Sequence, residues 1–262
     1  MRDFHGVYRR MALVDFGWEV LLALNLAFYR TFAVPSIGGL LAATGEMTGR
    51  PQKRADDTGL LTYEMIYHGL GHPRGLTAVR RLNQIHRRFD ISNDDYRYVL
   101  STLAVVPTRF VDRYGRRRLT ATEREATALF YRQVGEHMAI ADLPESYVDF
   151  AALMDGYEQR HFAPHPAGPA LIGATRQLLA DRFPGWARRV VLAAGDALLD
   201  EPLRRALQVA EPPAAVRMAV HVALRGRAWA TRLVPRPLEE VFQPGMPTPT
   251  YPDGYAVEEL GP

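Results

Sequence analysis

Residues 75–118 read GLTAVRRLNQIHRRFDISNDDYRYVLSTLAVVPTRFVDRYGRRR, and this stretch decides the fold. Leu76, Val79, Leu82, His86 and Phe89 recur at steps of three and four, which puts them on one face of a helix. Arg80, Arg81, Arg87 and Arg88 fall largely on other faces. His86 therefore sits on the apolar stripe and points inward. A shielded imidazole needs a partner, because an unsatisfied buried polar group costs roughly 1–3 kcal/mol. A metal or haem iron is one such partner, and a neighbouring carbonyl or carboxylate is another. A satisfied core histidine is the plainer reading of the pattern.

After this helix, Ser92 followed by Asp95 has the spacing of a capping box. Residues 95–106 carry Tyr96, Val99, Leu100, Leu103 and Val106 at helical steps, and Pro107 is expected to end or kink that helix. Arg109, Arg113 and Arg116 share a face. A solvated basic surface, an anchor for carboxylates and a phosphate contact all fit them. Thr120 and Glu123 form a second capping box ahead of helix 121–140, in which Gly135 allows a close crossing.

Upstream, residues 16–34 are the most apolar segment, interrupted by Glu19, Asn25 and Arg30 and closed by Pro35. They read as a buried or membrane-surface helix rather than a span, which wants about 20 nearly uncharged residues. A short helix follows over 36–45. Residues 44–59 read as a loop whose acids, Asp56 and Asp57, cap a helix over 58–68. His68 and His72 have the spacing of a metal pair, but Gly69, Gly71 and Pro73 interrupt the helix there, so exposed loop histidines are the expectation. Downstream, helices are expected over 144–157, 168–183, 184–199, 201–209 and 213–233, separated by prolines. Residues 234–262 are rich in proline and glycine and read as an extended arm anchored by Tyr251 and Tyr255. No alternating strand pattern, phosphate loop or nucleophile elbow appears. The fold class is all-α: one bundle-like domain over 1–262, of roughly ten helices plus the arm.

The chain has 262 residues, ample for a large core. It carries 32 basic and 29 acidic residues, and Lys53 is the only lysine. That balance and the missing nucleic-acid module exclude a nucleic-acid partner as the leading reading. The absence of cysteine removes disulfides and thiolate metal sites and fits a cytoplasmic setting.

The blocks RRLNQIHRRFDISNDDYRYVLSTLAVVPTRFVDRYGRRRLT, TEREA and VGEHMAIADLP resemble the MpaB oxygenase family, which is more distantly similar to the haem b rubber oxygenases. FYRTFAVPSIGGLLAATGE, KRADDT, YEQRHF and the tail YPDGYAVEELGP extend the resemblance over most of the chain. It implies a haem-dependent oxygenase, with haem b and O₂, acting on an apolar prenylated or terpenoid molecule by oxidative cleavage of a double bond. It also implies peripheral membrane contact. The wider haem family places its proximal histidine near Leu100, and leucine cannot bind iron. The MpaB-type block keeps His86, so the resemblance moves the axial role there, with Leu82, Phe89, Leu100 and Arg113 against the cofactor. Arg81 is the implied distal polar group, with Asn83 and Asp94 as orienting groups. Residues 81 and 86 are five apart, about 140° around a helix. His161 and His221 are weaker ligand candidates, and His137 is not expected to be a ligand. Leu100 also leaves open a non-catalytic isoprenoid-binding protein of the same fold.

Overall fold

The structure is a computed structural model that describes residues 3–181, 183–235 and 239–262. Its described residues form thirteen α-helices and no strand. They are α1 (Phe4–Arg10), α2 (Gly17–Phe32), α3 (Pro35–Thr44), α4 (Glu46–Gly49), α5 (Pro51–His68), α6 (Pro73–His86) and α7 (Asn93–Tyr114). Then follow α8 (Ala121–His137), α9 (Tyr147–His161), α10 (Ala167–Ala180), α11 (Arg188–Ala197), α12 (Glu201–Leu207) and α13 (Ala214–Ala230). A π-helical turn, Met11–Asp15, joins α1 to α2, and a 3₁₀ turn, Val257–Glu259, lies in the arm. The all-α reading holds.

Several boundaries differ from expectation, each for a local reason. Residues 44–59 are not a loop: α4 and the first half of α5 occupy them. Asp56 and Asp57 are therefore interior to α5 and cap nothing. Pro73 opens α6, where its missing N–H is tolerated, and His72 caps that helix by accepting from the Arg74 amide at 3.2 Å. Pro107 does not end α7, which runs on to Tyr114. His161 ends α9 rather than lying in the loop after it. Both sequence-read caps are present. Ser92 accepts from Asp95 N at 3.0 Å, and Thr120 and Glu123 bond reciprocally.

The chain divides into two compact units. The first comprises the described residues up to Leu24, those from Gln52 to Asp155, and the arm from Glu239 onward. Its core is aromatic: Tyr8, Phe16, Tyr98, Phe130 and Tyr131 are buried, and the Tyr8 hydroxyl donates to that of Tyr131 at 3.0 Å. Helix α8 packs on α7 through Gly135. A Cβ there would stand 2.5 Å from Leu143 Cδ2 and 2.9 Å from Leu100 Cδ2, so the close crossing is real. The second unit comprises Asn25–Pro51 and Gly156–Pro235. Its core gathers Tyr29, Phe32, Met47, Leu171, Ile172, Leu203 and Leu207. Arg30 is mostly buried there and pairs with both Glu158 and Asp200. Burying this cation unpaired would be costly, and two carboxylates offset the desolvation.

No single described helix is long and apolar enough to cross a membrane. The N-terminal pair, Phe4–Asp15 and Gly17–Phe32, is bent by 97°.

The position of α6 rests on a backbone contact. A Cβ at Gly75 would lie 2.0 Å from the carbonyl oxygen of Gly69, which itself takes a left-handed φ of +71°. Helix α6 thus begins against the turn that ends α5. Gly75→Ala is expected to force the two apart and cost about 1–3 kcal/mol. A urea midpoint equal to that of the unsubstituted protein would contradict this contact.

Candidate active site at the end of helix α6

His86 is the last residue of α6, and its ring lies 5.5 Å from that of Tyr96 in the first turns of α7. The imidazole is half-buried, but Nδ1 is shielded from water and has no hydrogen-bond partner among the described residues. Burial pushes the ring's pKa down to about 4, and the cation of Arg54 on α5 adds to the shift. The ring is therefore neutral at physiological pH, with a lone pair held in an apolar setting. That is the protonation state a metal ligand needs. No group of three or more histidine, aspartate or glutamate side chains that could hold a bare metal ion occurs among the described residues.

The loop between α6 and α7 is held by its asparagines. Asn83 Nδ2 donates to the His137 carbonyl at 2.9 Å. Asn93 donates to the Ala141 carbonyl at 3.2 Å and accepts from the Ala141 amide at 2.9 Å. The segment they grip, after α8, contains Ala139 and Asp142 in left-handed conformations at φ +56° and +51°. Non-glycine residues there are strained and persist only when their surroundings over-determine them. The VGEHMAIADLP block is thus the clasp that fixes both ends of the His86 loop.

The arm covers the other side of α6. Arg81 Nε donates to the Leu260 carbonyl at 2.5 Å, and Arg88 to the Pro262 carbonyl at 3.1 Å. Lys53 Nζ reaches the Gly261 carbonyl at 3.0 Å. Gly261 has φ +98°, and a Cβ there would lie 2.4 Å from Ile85 Cδ1. Three buried or half-buried carboxylates on α5 hold the rest of the arm. Asp56 accepts from the Thr250 amide at 3.0 Å, Asp57 from the Tyr251 hydroxyl at 2.5 Å, and Glu64 from the Tyr255 hydroxyl at 2.5 Å. Glu64 is fully buried and also takes a bidentate pair from Arg74 at 2.8 Å. The expected anchoring by Tyr251 and Tyr255 is present. Residues 236–238 of the arm lie outside the described residues.

The sequence-predicted site residues do not all converge. Leu82 precedes His86 by one turn on the same face, and Phe89 follows it with its amide on the His86 carbonyl at 3.0 Å. Arg81 is turned to the arm instead. Asp94 is exposed and paired with Arg97 at 3.1 Å. Leu100 is buried and packed towards Gly135. Arg113 is exposed, with its guanidinium over the Tyr114 ring, seventeen residues beyond Tyr96 on α7. At 1.5 Å per residue that is about 25 Å, too far for one cofactor ligated by His86. The remaining arginines of that cluster are structural where they are paired: Arg109 with Asp155 at 2.7 Å and Arg117 with Glu123 at 2.7 Å. His161 is stacked on Tyr157, and His137 is exposed. His68 and His72 stack at 4.6 Å, with His68 3.4 Å from Glu64. A cleft of about 260 Å³, part of it open solvent, lies among Tyr29, Ile172, Arg176, Leu192 and Asp196. It carries none of the predicted residues.

A family profile described as ER-bound oxygenase mpaB/B′/rubber oxygenase, catalytic domain, matches residues 5–233. The chain belongs to this oxygenase family. Among its relatives, the ER-bound oxygenase mpaB of Penicillium brevicompactum is 27% identical over 204 residues, which cover 69% of this chain and 52% of that protein. The ER-bound oxygenase mpaB′ of the same organism is 25% identical over 252 residues, 88% of this chain and 59% of that protein. The ER-bound oxygenase mpaB of Penicillium roqueforti (strain FM164) is 25% identical over 227 residues, 78% and 75% respectively. The chain thus spans between half and two thirds of the length of the first two. The matched residues include the His86 loop and the asparagine-held segment, so the geometry around His86 belongs to the family's catalytic domain.

Two outcomes follow from this geometry. Gly261→Ala is strained in φ and would also have to displace the end of the Ile85 side chain, so the arm should lose about 1–3 kcal/mol of local stability. Hydrogen exchange at residues 256–260 should speed up while overall helicity stays, and unchanged protection would contradict the contact. Second, the folded protein keeps His86 neutral down to about 4, whereas the unfolded chain protonates it near the ordinary 6.5. In the ligand-free protein the unfolded state therefore binds more protons between those values, and stability falls as pH falls through that window. His86→Leu should flatten this part of the slope, measured by urea unfolding at about pH 7 and about pH 5. An unaltered slope would contradict the burial of this ring.

Proposed function

We propose that this protein is a haem-dependent oxygenase in which His86 is the protein ligand to the iron. The observation that carries the reading is the neutral, shielded imidazole of His86, with Nδ1 unpartnered, within the residues that the family profile matches. An orphaned nitrogen of this kind fits a metal-ligating ring, and the cost of leaving it unsatisfied is met once it binds. When bound, haem b supplies the activation of O₂ that an oxygenase requires.

The chain's own residues prepare that site. Leu82 and Phe89 contribute the apolar surface beside the ligand, and Tyr96 limits the ring's tilt from α7. Arg54 disfavours protonation of the ring and so keeps it available. Asn83 and Asn93 are positioning residues: they hold the loop that carries His86 against the segment after α8. Arg81 acts on the arm, keeping residues 260–262 over the flank of α6.

The substrate in this reading is an apolar prenylated or terpenoid molecule, cleaved or oxidised at a double bond. Its support is the relatives' classification as mpaB-type oxygenases and the apolar stripe that ends at His86. Those relatives are described as ER-bound, and contact with a membrane from the cytoplasmic side is part of the proposal.

His86→Ala is expected to strip haem, read as loss of the Soret absorption, while circular dichroism shows near-intact helicity. Arg81→Ala is expected to keep haem and loosen residues 256–262. Haem retained with an unshifted spectrum in His86→Ala would overturn the ligand assignment.

A further inference from the structure

Helix α13 in the second unit is unlike the others. Of its seventeen residues only Ala228 is buried. Met218, Val222 and Trp229 are spaced by four and seven, so they form one stripe, and Leu233 lies in the turn just after the helix. The stripe faces water: Met218 is 63% and Trp229 62% exposed, and Leu233 beyond it 71%. Helix α11 packs against α13, and on it Val190 and, just before its start, Trp186 at 84% are exposed as well. Two of the chain's three tryptophans thus lie here. Clustered exposed apolar side chains of this size mark an interaction surface.

The charge around them says what covers it. Residues 183–195 and 212–235 contain six arginines and no aspartate or glutamate. Arg188 and Arg217 pair with Asp181 and Glu211, which lie outside these segments. Arg225 and Arg189 are exposed, and Arg225 falls within the apolar stripe between Val222 and Trp229. A cation inside an apolar stripe suits a long side chain that snorkels towards phosphates while its neighbours seat among acyl chains. A second copy of this chain would instead set arginine against arginine, with no carboxylate in either segment to meet it.

We propose that the α11–α13 face is a peripheral docking surface for an anionic phospholipid bilayer. Trp186, Trp229 and Leu233 would enter the headgroup boundary, and the arginines would meet lipid phosphates and carboxylates. This assigns a surface to the membrane contact in the functional reading, but it does not depend on the haem assignment.

The test is flotation of the 262-residue chain with phosphatidylcholine vesicles prepared with and without phosphatidylserine. Binding is expected to the anionic vesicles and to weaken with salt. Arg189→Gln and Arg225→Gln should each weaken it about fivefold. The combined Trp186→Ser, Trp229→Ser and Leu233→Ser variant should weaken it about tenfold or more, with circular dichroism unchanged. No binding to either vesicle would overturn the proposal. So would binding that survives all these substitutions, because the membrane contact would then lie elsewhere and the general membrane reading would stand without this surface. A concentration-dependent dimer abolished by the triple substitution, without vesicle binding, would make the face a self-interface and equally overturn it.

Discussion

Nδ1 of His86 is shielded from water and has no hydrogen-bond partner among the described residues, and much of the first unit keeps it so. Gly75 lets α6 begin against the Gly69 carbonyl. The buried Glu64 holds Arg74 at the start of the same helix and Tyr255 from the arm. Asn83 and Asn93 tie the far end of α6 and the start of α7 to a segment whose backbone is itself constrained. The arm then closes on Ile85 and Arg81. Each contact restrains the helix that carries the imidazole. None satisfies the nitrogen itself.

This arrangement accounts for residues in the family block that chemistry alone does not explain. Ser92, Asn93 and Asp95 are polar because a helix must be started and a loop held, which costs less than leaving backbone groups unpaired. Leu100 is explained as packing: it faces Gly135 in the contact between α7 and α8. A histidine at that position would sit in the apolar interior of the first unit.

How much was legible in the sequence follows from the range of each interaction. Caps such as Ser92–Asp95 and Thr120–Glu123 are local, so spacing alone reveals them. The apolar stripe through Leu82 and His86 was readable for the same reason. The α5 boundary was not, because Asp56 and Asp57 look like caps and find their partners nearly two hundred residues away, in Thr250 and Tyr251. Pro107 looked like a terminus, but burial on both sides of it carries α7 to Tyr114. Arg81 was a cofactor partner by resemblance, and Arg113 by its charge. Placing Arg81 on the arm and Arg113 about five helical turns beyond Tyr96 needed the tertiary structure.

The central claim is that the imidazole of His86 binds iron. Resonance Raman spectroscopy of the ferrous, haem-loaded protein tests it most directly. The account predicts an iron–histidine stretching band that disappears in His86→Gly and returns, shifted, when exogenous imidazole is added. An iron–histidine band that persists unchanged in that variant would show that another residue is the ligand.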